Sequence, residues 1–275
     1  MPTKYTEVKG HAIYYQYRGA TTLPDVIPDF SQGRKIVFLH GEGGNSAPWH
    51  HQLDALAAKH SPVAFDFPGH GRSDGVEGLR SIGEYADFLA AFMDRVKFQS
   101  AVIAGWSMGG AVAMEFALRY PARVEALILV ATAAKFAIPE ERVQQLGAVM
   151  MGRAPQAFVT DGFSPKTIKE NFNVVREMWM EQIKTDPRVR YTDTRACQEV
   201  DLSSAISAIK KPTLILSGED RTAGGKDAEL IRDQIQGAHL EVVPDAGSML
   251  AVEHPVVVND AIEEFLGELK QEEPS

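Results

Sequence analysis

The chain has 275 residues, of which 44% are hydrophobic and 24% are charged, a composition typical of a globular protein with one large core. Its formal net charge of −9 argues against nucleic acid as a partner, because a phosphate-binding surface needs clustered Lys and Arg. The only cysteine, Cys197, excludes an internal disulfide and favours a reducing compartment. With no apolar leader or long apolar run, we expect a cytoplasmic protein without a membrane partner.

Short β-branched runs alternate with longer amphipathic stretches, which predicts βαβ units and a mostly parallel, doubly wound α/β sheet. The predicted strands are residues 13–17, 35–39, 63–65, 101–104, 126–130, 213–216 and 240–243. Ser81 with Glu84 forms a capping box that begins a helix predicted to end near Lys97. Residues 256–269 are predicted to form a closing helix.

One interval, residues 135–209, interrupts this alternation because it has helical stretches and no strand pattern. Its Met and aromatic residues fit an ordinary helical core as well as a lid with an apolar inner face. The position between two predicted strands favours the lid. The sequence therefore predicts an α/β core of residues 1–134 and 210–275 with an inserted helical cap at 135–209.

The strongest chemical motif is Gly-Trp-Ser-Met-Gly-Gly at residues 105–110. It follows a predicted strand and precedes a helical run, which is the context of a G-x-S-x-G nucleophile elbow. The sharp turn requires small residues on both sides of the serine, and glycine supplies them. We therefore predict that Ser107 is a nucleophile at the N-terminus of a helix, where N–H groups favour an oxyanion.

A second glycine-rich loop, residues 40–44, follows the strand predicted at 35–39. Such a loop can direct a backbone N–H at a developing oxyanion. We predict an oxyanion hole made by the N–H of Glu42, through its backbone and not its carboxylate, and the N–H of Met108.

These motifs resemble those of the α/β-hydrolase superfamily. Residues 40–41, 66–73, 105–110 and 216–221 match its motifs in order and spacing, and the helical interval falls where that family inserts its cap. The resemblance implies a serine hydrolase with a nucleophile, acid and histidine in that order along the chain. Ser107 matches the nucleophile and Asp220 matches the acid, with Glu219 as the alternative. The resemblance implies no metal and no organic cofactor.

The expected histidine is missing, because Gly247-Ser248 stands where the family usually has Gly-His, so Ser248 occupies the histidine position. A hydroxyl cannot accept a proton near neutral pH as imidazole does. We expect no full replacement from the other histidines, which are His11, His40, His50, His51, His60, His70, His239 and His254. Ser248 is either an introduced replacement of histidine or a natural feature of a member without hydrolysis. The intact nucleophile and acid favour the first interpretation.

The resemblance implies hydrolysis of an ester, thioester or related acyl bond of a largely apolar small molecule. Loss of the histidine implies that this activity is abolished or strongly reduced. The alternatives are a C–C bond hydrolase acting on diketones with the same triad, and a non-catalytic protein that binds a small ligand. The predicted pocket residues are His40, Trp106, Met150 and Trp179.

Overall fold

Eight strands form one sheet within the part of the chain that the computed structural model describes, residues 2–220 and 225–269. The strands are β1 (Thr3–Val8), β2 (His11–Tyr17), β3 (Lys35–Leu39), β4 (Ser61–Phe65), β5 (Ala101–Trp106), β6 (Val124–Val130), β7 (Thr213–Gly218) and β8 (His239–Val243). The α-helices are α1 (His50–Leu56), α2 (Ile82–Arg95), α3 (Met108–Arg119), α4 (Glu140–Met150), α5 (Pro165–Glu170), α6 (Phe172–Gln182), α7 (Pro187–Glu199), α8 (Gly225–Gln234), α9 (Leu250–Glu253) and α10 (Pro255–Glu268).

The strand order is β1-β2-β4-β3-β5-β6-β7-β8. Strands β1 and β2 pair antiparallel with their neighbours, whereas all pairs from β4 to β8 are parallel. Parallel neighbours need crossover connections, and helices supply them here. The mostly parallel α/β sheet predicted from the sequence is confirmed.

Helices cover both faces of this sheet, as β3 shows. Val37 and Leu39 belong to a core with α2, α3 and α8, while Ile36 and Phe38 belong to a core with α1 and α10. All four side chains are fully buried. Successive strand residues point to opposite faces, so a strand covered on both sides becomes a continuous apolar run. This explains why β3 to β7 are visible in the sequence.

The interval between β6 and β7 contains α4, α5, α6 and α7. Its strand-like pairing is a single isolated bridge between Lys135 and Asp201. Helix α7 packs on the sheet core through Ala196 and Cys197, and burial raises the pKa of the Cys197 thiol well above its ordinary value. The division into core and cap stays a prediction.

Residues 2–220 and 225–269 contain neither a membrane-spanning helix nor a metal-binding cluster. None of their helices is long and apolar enough to cross a membrane. They also hold no group of three His, Cys, Asp or Glu side chains placed to bind a metal ion.

Candidate active site

Ser107 lies in a sharp turn between β5 and α3. Its φ of 53° and ψ of −118° are unusual for a residue with a side chain, and such strained positions are concentrated at functional sites. The turn requires its glycines. A Cβ at Gly105 would lie 2.1 Å from the carbonyl oxygen of Gly109, and one at Gly109 would lie 2.5 Å from that of Leu39. The predicted elbow geometry is therefore present.

Neighbouring strand ends hold the backbone of Ser107 in place. Its N–H donates to the carbonyl oxygen of Val130 at 3.0 Å, and the Thr132 hydroxyl donates to its carbonyl oxygen at 2.6 Å. The turn leaves the Ser107 side chain partly exposed beside the first turn of α3. The hydroxyl can therefore meet a ligand that approaches the C-terminal edge of the sheet.

The hydroxyl of Ser107 has a carboxylate partner. It donates a hydrogen bond to Oε2 of Glu42 at 2.9 Å, and the Glu42 side chain is 26% exposed. All eight histidines lie in the described residues, and none of them hydrogen-bonds this hydroxyl. The sequence prediction used only the Glu42 backbone and missed this contact. An acidic residue in a glycine loop beside the nucleophile was the available signal.

Two arginines from the helical interval flank Glu42. Nη2 of Arg142 on α4 lies 3.9 Å from Glu42 Oε1. Arg190 on α7 packs against Gly43, where a Cβ would lie 2.8 Å from Arg190 Cγ. Burial lowers the pKa of the Arg190 guanidinium, and the charge of Glu42 acts against this shift. The buried Nε of Arg190 has no hydrogen-bond partner among the described residues.

A buried carboxylate, Asp193 on α7, fixes the loop that carries Glu42. Asp193 accepts hydrogen bonds from the N–H of Gly43 at 2.8 Å, from Nε2 of His70 at 2.7 Å and from the Tyr85 hydroxyl. Burial lowers the pKa of His70, but the attraction and hydrogen bond of Asp193 outweigh it, so the net shift is upward. Nothing in the local sequence around Asp193 indicated this role.

The two candidate acids at the end of β7 differ in exposure and in their contacts with the loop after β8. Glu219 is exposed, and its Oε2 accepts the N–H of Asp245 at 3.2 Å. Asp220 is half-buried, and its N–H donates to the carbonyl oxygen of Ala246 at 2.9 Å. Both residues adjoin the loop that leads to Ser248, and the assignment of Asp220 as the acid stays a prediction.

Ser248 contacts the interval between β6 and β7. Its hydroxyl donates to the carbonyl oxygen of Gly162 at 3.2 Å, and its own carbonyl accepts Nε1 of Trp106 at 2.8 Å. A Cβ at Gly162 would lie 2.7 Å from this hydroxyl. The space in this direction fits a hydroxyl, so an imidazole at position 248 would have to point elsewhere.

Glu253 bridges the same two segments. One carboxylate oxygen accepts the N–H of Ser164 at 2.8 Å, and the other accepts the N–H of Gly247 at 2.9 Å. The N–H of Met249 also donates to the carbonyl oxygen of Gly162 at 2.9 Å. The loop around position 248 is thus joined to residues 162–164 by several bonds.

The four predicted pocket residues lie in different surroundings. Trp106 is half-buried beside Ser107, and it lines a small apolar cavity with Met249. His40 is fully buried, with one ring nitrogen 2.9 Å from the Gly41 oxygen and the other 3.2 Å from the Phe67 nitrogen. Burial lowers the pKa of His40 to about 3. A neutral, enclosed ring does not fit the pocket role predicted for His40, and its placement is structural.

Met150 and Trp179 lie near an open cleft between α4 and α7, and they do not line it. The lining comprises Arg142, Gln145, Leu146, Val149, Pro155, Gln156, Ala157, Val159, Pro187 and Arg190. Trp179 packs on Phe158 with ring centroids 5.2 Å apart. Its Nε1 donates to the carbonyl oxygen of Ala157 at 3.5 Å. Trp179 therefore contacts the cleft-lining segment that contains Ala157 without lining the cleft itself.

The sequence of this chain is similar to those of known hydrolases. A family model described as the alpha/beta hydrolase family matches residues 36–261. A relative from Azorhizobium caulinodans, named as a carbamate hydrolase, is 28% identical in an alignment that covers 94% of this chain and 96% of the relative. The 3-oxoadipate enol-lactonase 2 of Acinetobacter baylyi is 26% identical, with 90% of this chain and 96% of the relative covered.

A solved structure shows the same fold. The enol-lactonase from Burkholderia xenovorans superposes with a TM-score of 0.83 at 23% identity, covering 96% of this chain and 100% of that chain. Similarity at this level of identity concerns the fold and not the substrate.

Proposed function

Because this chain belongs to the alpha/beta hydrolase family, we propose that it hydrolyses an ester, a thioester or a related acyl bond with Ser107 as the nucleophile. The observation that carries the proposal is the strained Ser107 turn, which presents the hydroxyl beside the first turn of α3. The relatives named as enol-lactonase and carbamate hydrolase support this class of bond.

Backbone donors for an oxyanion support the proposal. Met108 is the first residue of α3, and Glu42 lies in the adjoining loop. Within the described residues, neither N–H donates a hydrogen bond. Both donors are therefore available to the oxyanion that forms when Ser107 attacks a carbonyl carbon, and one such donor stabilises a transition state by about 3 kcal/mol.

Position 248, where the family has its histidine, lacks a general base in this chain. Asp220 adjoins the loop of Ser248, so it could orient an imidazole there. Ser248 cannot act as that base. Hydrolysis by the complete triad is therefore lost in this chain, and we expect Ser248→His to raise kcat for p-nitrophenyl esters by about 10³-fold.

The cleft between α4 and α7 is the proposed substrate chamber. It is mostly apolar, and one of its lining residues, Arg142, brings its guanidinium to 3.9 Å from the Glu42 carboxylate. Apolar walls with a few convergent polar groups are usual for small-molecule sites. We therefore propose a largely apolar substrate with an acceptor group that meets Arg142 or Arg190, and a cap formed by residues 135–209.

Covalent labelling tests this function directly. A fluorophosphonate should modify the wild-type chain at Ser107, as located by peptide mass spectrometry, and Ser107→Ala should not react. A series of p-nitrophenyl esters of increasing acyl length should then give turnover. If neither the wild type nor Ser248→His reacts with the probe or any ester, the chain is a ligand-binding protein and the proposal fails.

A further inference from the structure

We propose that Glu42 is the general base for Ser107 in this chain, in place of the histidine that position 248 lacks. The proposal rests on the hydrolase function proposed above and names the residue that accepts the proton. Its basis is the hydrogen bond from the Ser107 hydroxyl to the Glu42 carboxylate at 2.9 Å. A general base must lie within about 2.6–3.2 Å of the proton-bearing atom that it serves, and Glu42 meets this requirement.

The surrounding loop holds the Glu42 carboxylate in position. The N–H of Gly43 donates to buried Asp193, and the N–H of Gly44 donates to the carbonyl oxygen of Gly41 at 3.1 Å. Arg190 packs on the outer side of Gly43. The backbone on the C-terminal side of Glu42 is therefore anchored, and a base on an anchored loop needs little reorganisation during the reaction.

The charged groups that face Glu42 come from two helices of the interval between β6 and β7. Arg142 on α4 and Arg190 on α7 bring positive charge to the carboxylate. Cys197, further along α7, is held neutral because burial, and then the negative charges of Glu42 and Asp193, raise its pKa. The two guanidinium groups therefore balance a carboxylate that is mostly removed from water.

The proposed reaction conserves atoms and charge. As Oγ of Ser107 forms a bond to the carbonyl carbon, its proton moves to Oε2 of Glu42 and the carbonyl oxygen becomes an oxyanion. Collapse of this intermediate breaks the bond to the leaving group, which takes the proton from Glu42. Glu42 then deprotonates a water molecule that attacks the acyl-enzyme. Collapse of this second intermediate breaks the bond between the carbonyl carbon and Oγ of Ser107, and Oγ takes the proton back from Glu42. Release of the acid leaves both Ser107 and Glu42 in their starting states.

The opposite role, in which the Glu42 carboxylate blocks the nucleophile, is the main alternative. The two roles predict opposite effects of neutralising the side chain. A base is needed for turnover, so Glu42→Gln would slow the reaction. A blocking group hinders substrate, so the same change would speed it.

The test compares hydrolysis of p-nitrophenyl butyrate by the wild type, Glu42→Gln, Ser248→His and the double variant Glu42→Gln/Ser248→His. Glu141→Gln is the matched control, because Glu141 is an exposed acid on α4 and its loss removes the same charge. We expect Glu42→Gln to lower kcat by about 10²-fold or more, with little change in KM. We expect Glu141→Gln to leave kcat within about twofold. Thermal unfolding of each variant confirms that it is folded.

The double variant and the pH profile separate a catalytic role from a structural one. A histidine at the triad position would replace the carboxylate, so Ser248→His should restore activity to Glu42→Gln. The rate of the wild type should persist at pH 5.5, where an imidazole with an ordinary pKa of about 6.5 is mostly protonated, and the double variant should lose rate there.

Each of the remaining outcomes overturns the assignment. Unchanged or faster turnover by Glu42→Gln refutes Glu42 as the base, and so does a wild type that is inactive while Ser248→His is active. In both cases the hydrolase function stands. Failure of that function shows separately, as absence of labelling and turnover in every variant.

Discussion

Asp193→Asn should be among the most destabilising conservative substitutions in this chain. The carboxylate is fully buried and accepts hydrogen bonds from Gly43, His70 and Tyr85. Asparagine keeps the shape, but it removes the charge and directs an N–H₂ group at donors. A hydrogen bond to a charged group contributes about 1.5–3 kcal/mol, and breaking a buried pair costs about 3–5 kcal/mol. We therefore expect the unfolding free energy to fall by about 3–5 kcal/mol, measured by urea denaturation.

The pH dependence of the stability difference between the wild type and Asp193→Asn provides a second test. Because the pKa of His70 is raised above 6.5 in the folded chain, its stabilising contribution is fully present below about pH 6.5 and is lost as the pH rises through the folded pKa. The difference between wild type and variant should therefore be largest below pH 6.5 and smaller at alkaline pH. Asp54→Asn is the control, since the Asp54 carboxylate that pairs with Arg18 is 59% exposed and should contribute less than about 1 kcal/mol. A loss below about 1 kcal/mol for Asp193→Asn, or a difference that grows with pH, would refute this reasoning.

Two further changes test the acid and the substrate chamber. In the Ser248→His background, Asp220→Asn should lower kcat/KM by about 10⁴-fold. Glu219→Gln should have little effect, because the Glu219 side chain bonds to the Asp245 backbone. The reverse result would assign the acid to Glu219. Trp179→Ala should change the relative kcat/KM among acyl chain lengths by about 1–3 kcal/mol, because Trp179 supports the segment that lines the cleft; unchanged ratios would place it in the cap interior.

The sheet was predictable where burial leaves a pattern in the sequence. Strands β3 to β7 are apolar because helices cover both of their faces, and such runs can be recognised without the structure. Strand β1 was missed, because this edge strand is mostly polar and exposed, with Lys4 and Val8 as its buried residues. A short edge strand is specified by its pairing with β2 and not by its own composition.

The site was predictable only where it is local in sequence. The elbow of Ser107 needs a strand, a helix and small neighbours, all within a few residues. The carboxylate of Glu42 reaches Ser107 in a loop that is anchored by Asp193, which lies 150 positions further along the chain from Gly43. His40 illustrates the same limitation, since burial by Phe67 and His70 decides its role. Contacts between distant segments leave no local pattern.

The bridge formed by Glu253 has a consequence for exchange of amide hydrogens with solvent. One carboxylate protects the N–H of Ser164 and the N–H of Gly247, so a movement that displaces the Glu253 side chain exposes both amides in the same event. Local opening of this kind is measured as hydrogen–deuterium exchange. The two amides should therefore show matched protection factors, and Glu253→Gln should lower both together while the amides of β5 keep their protection.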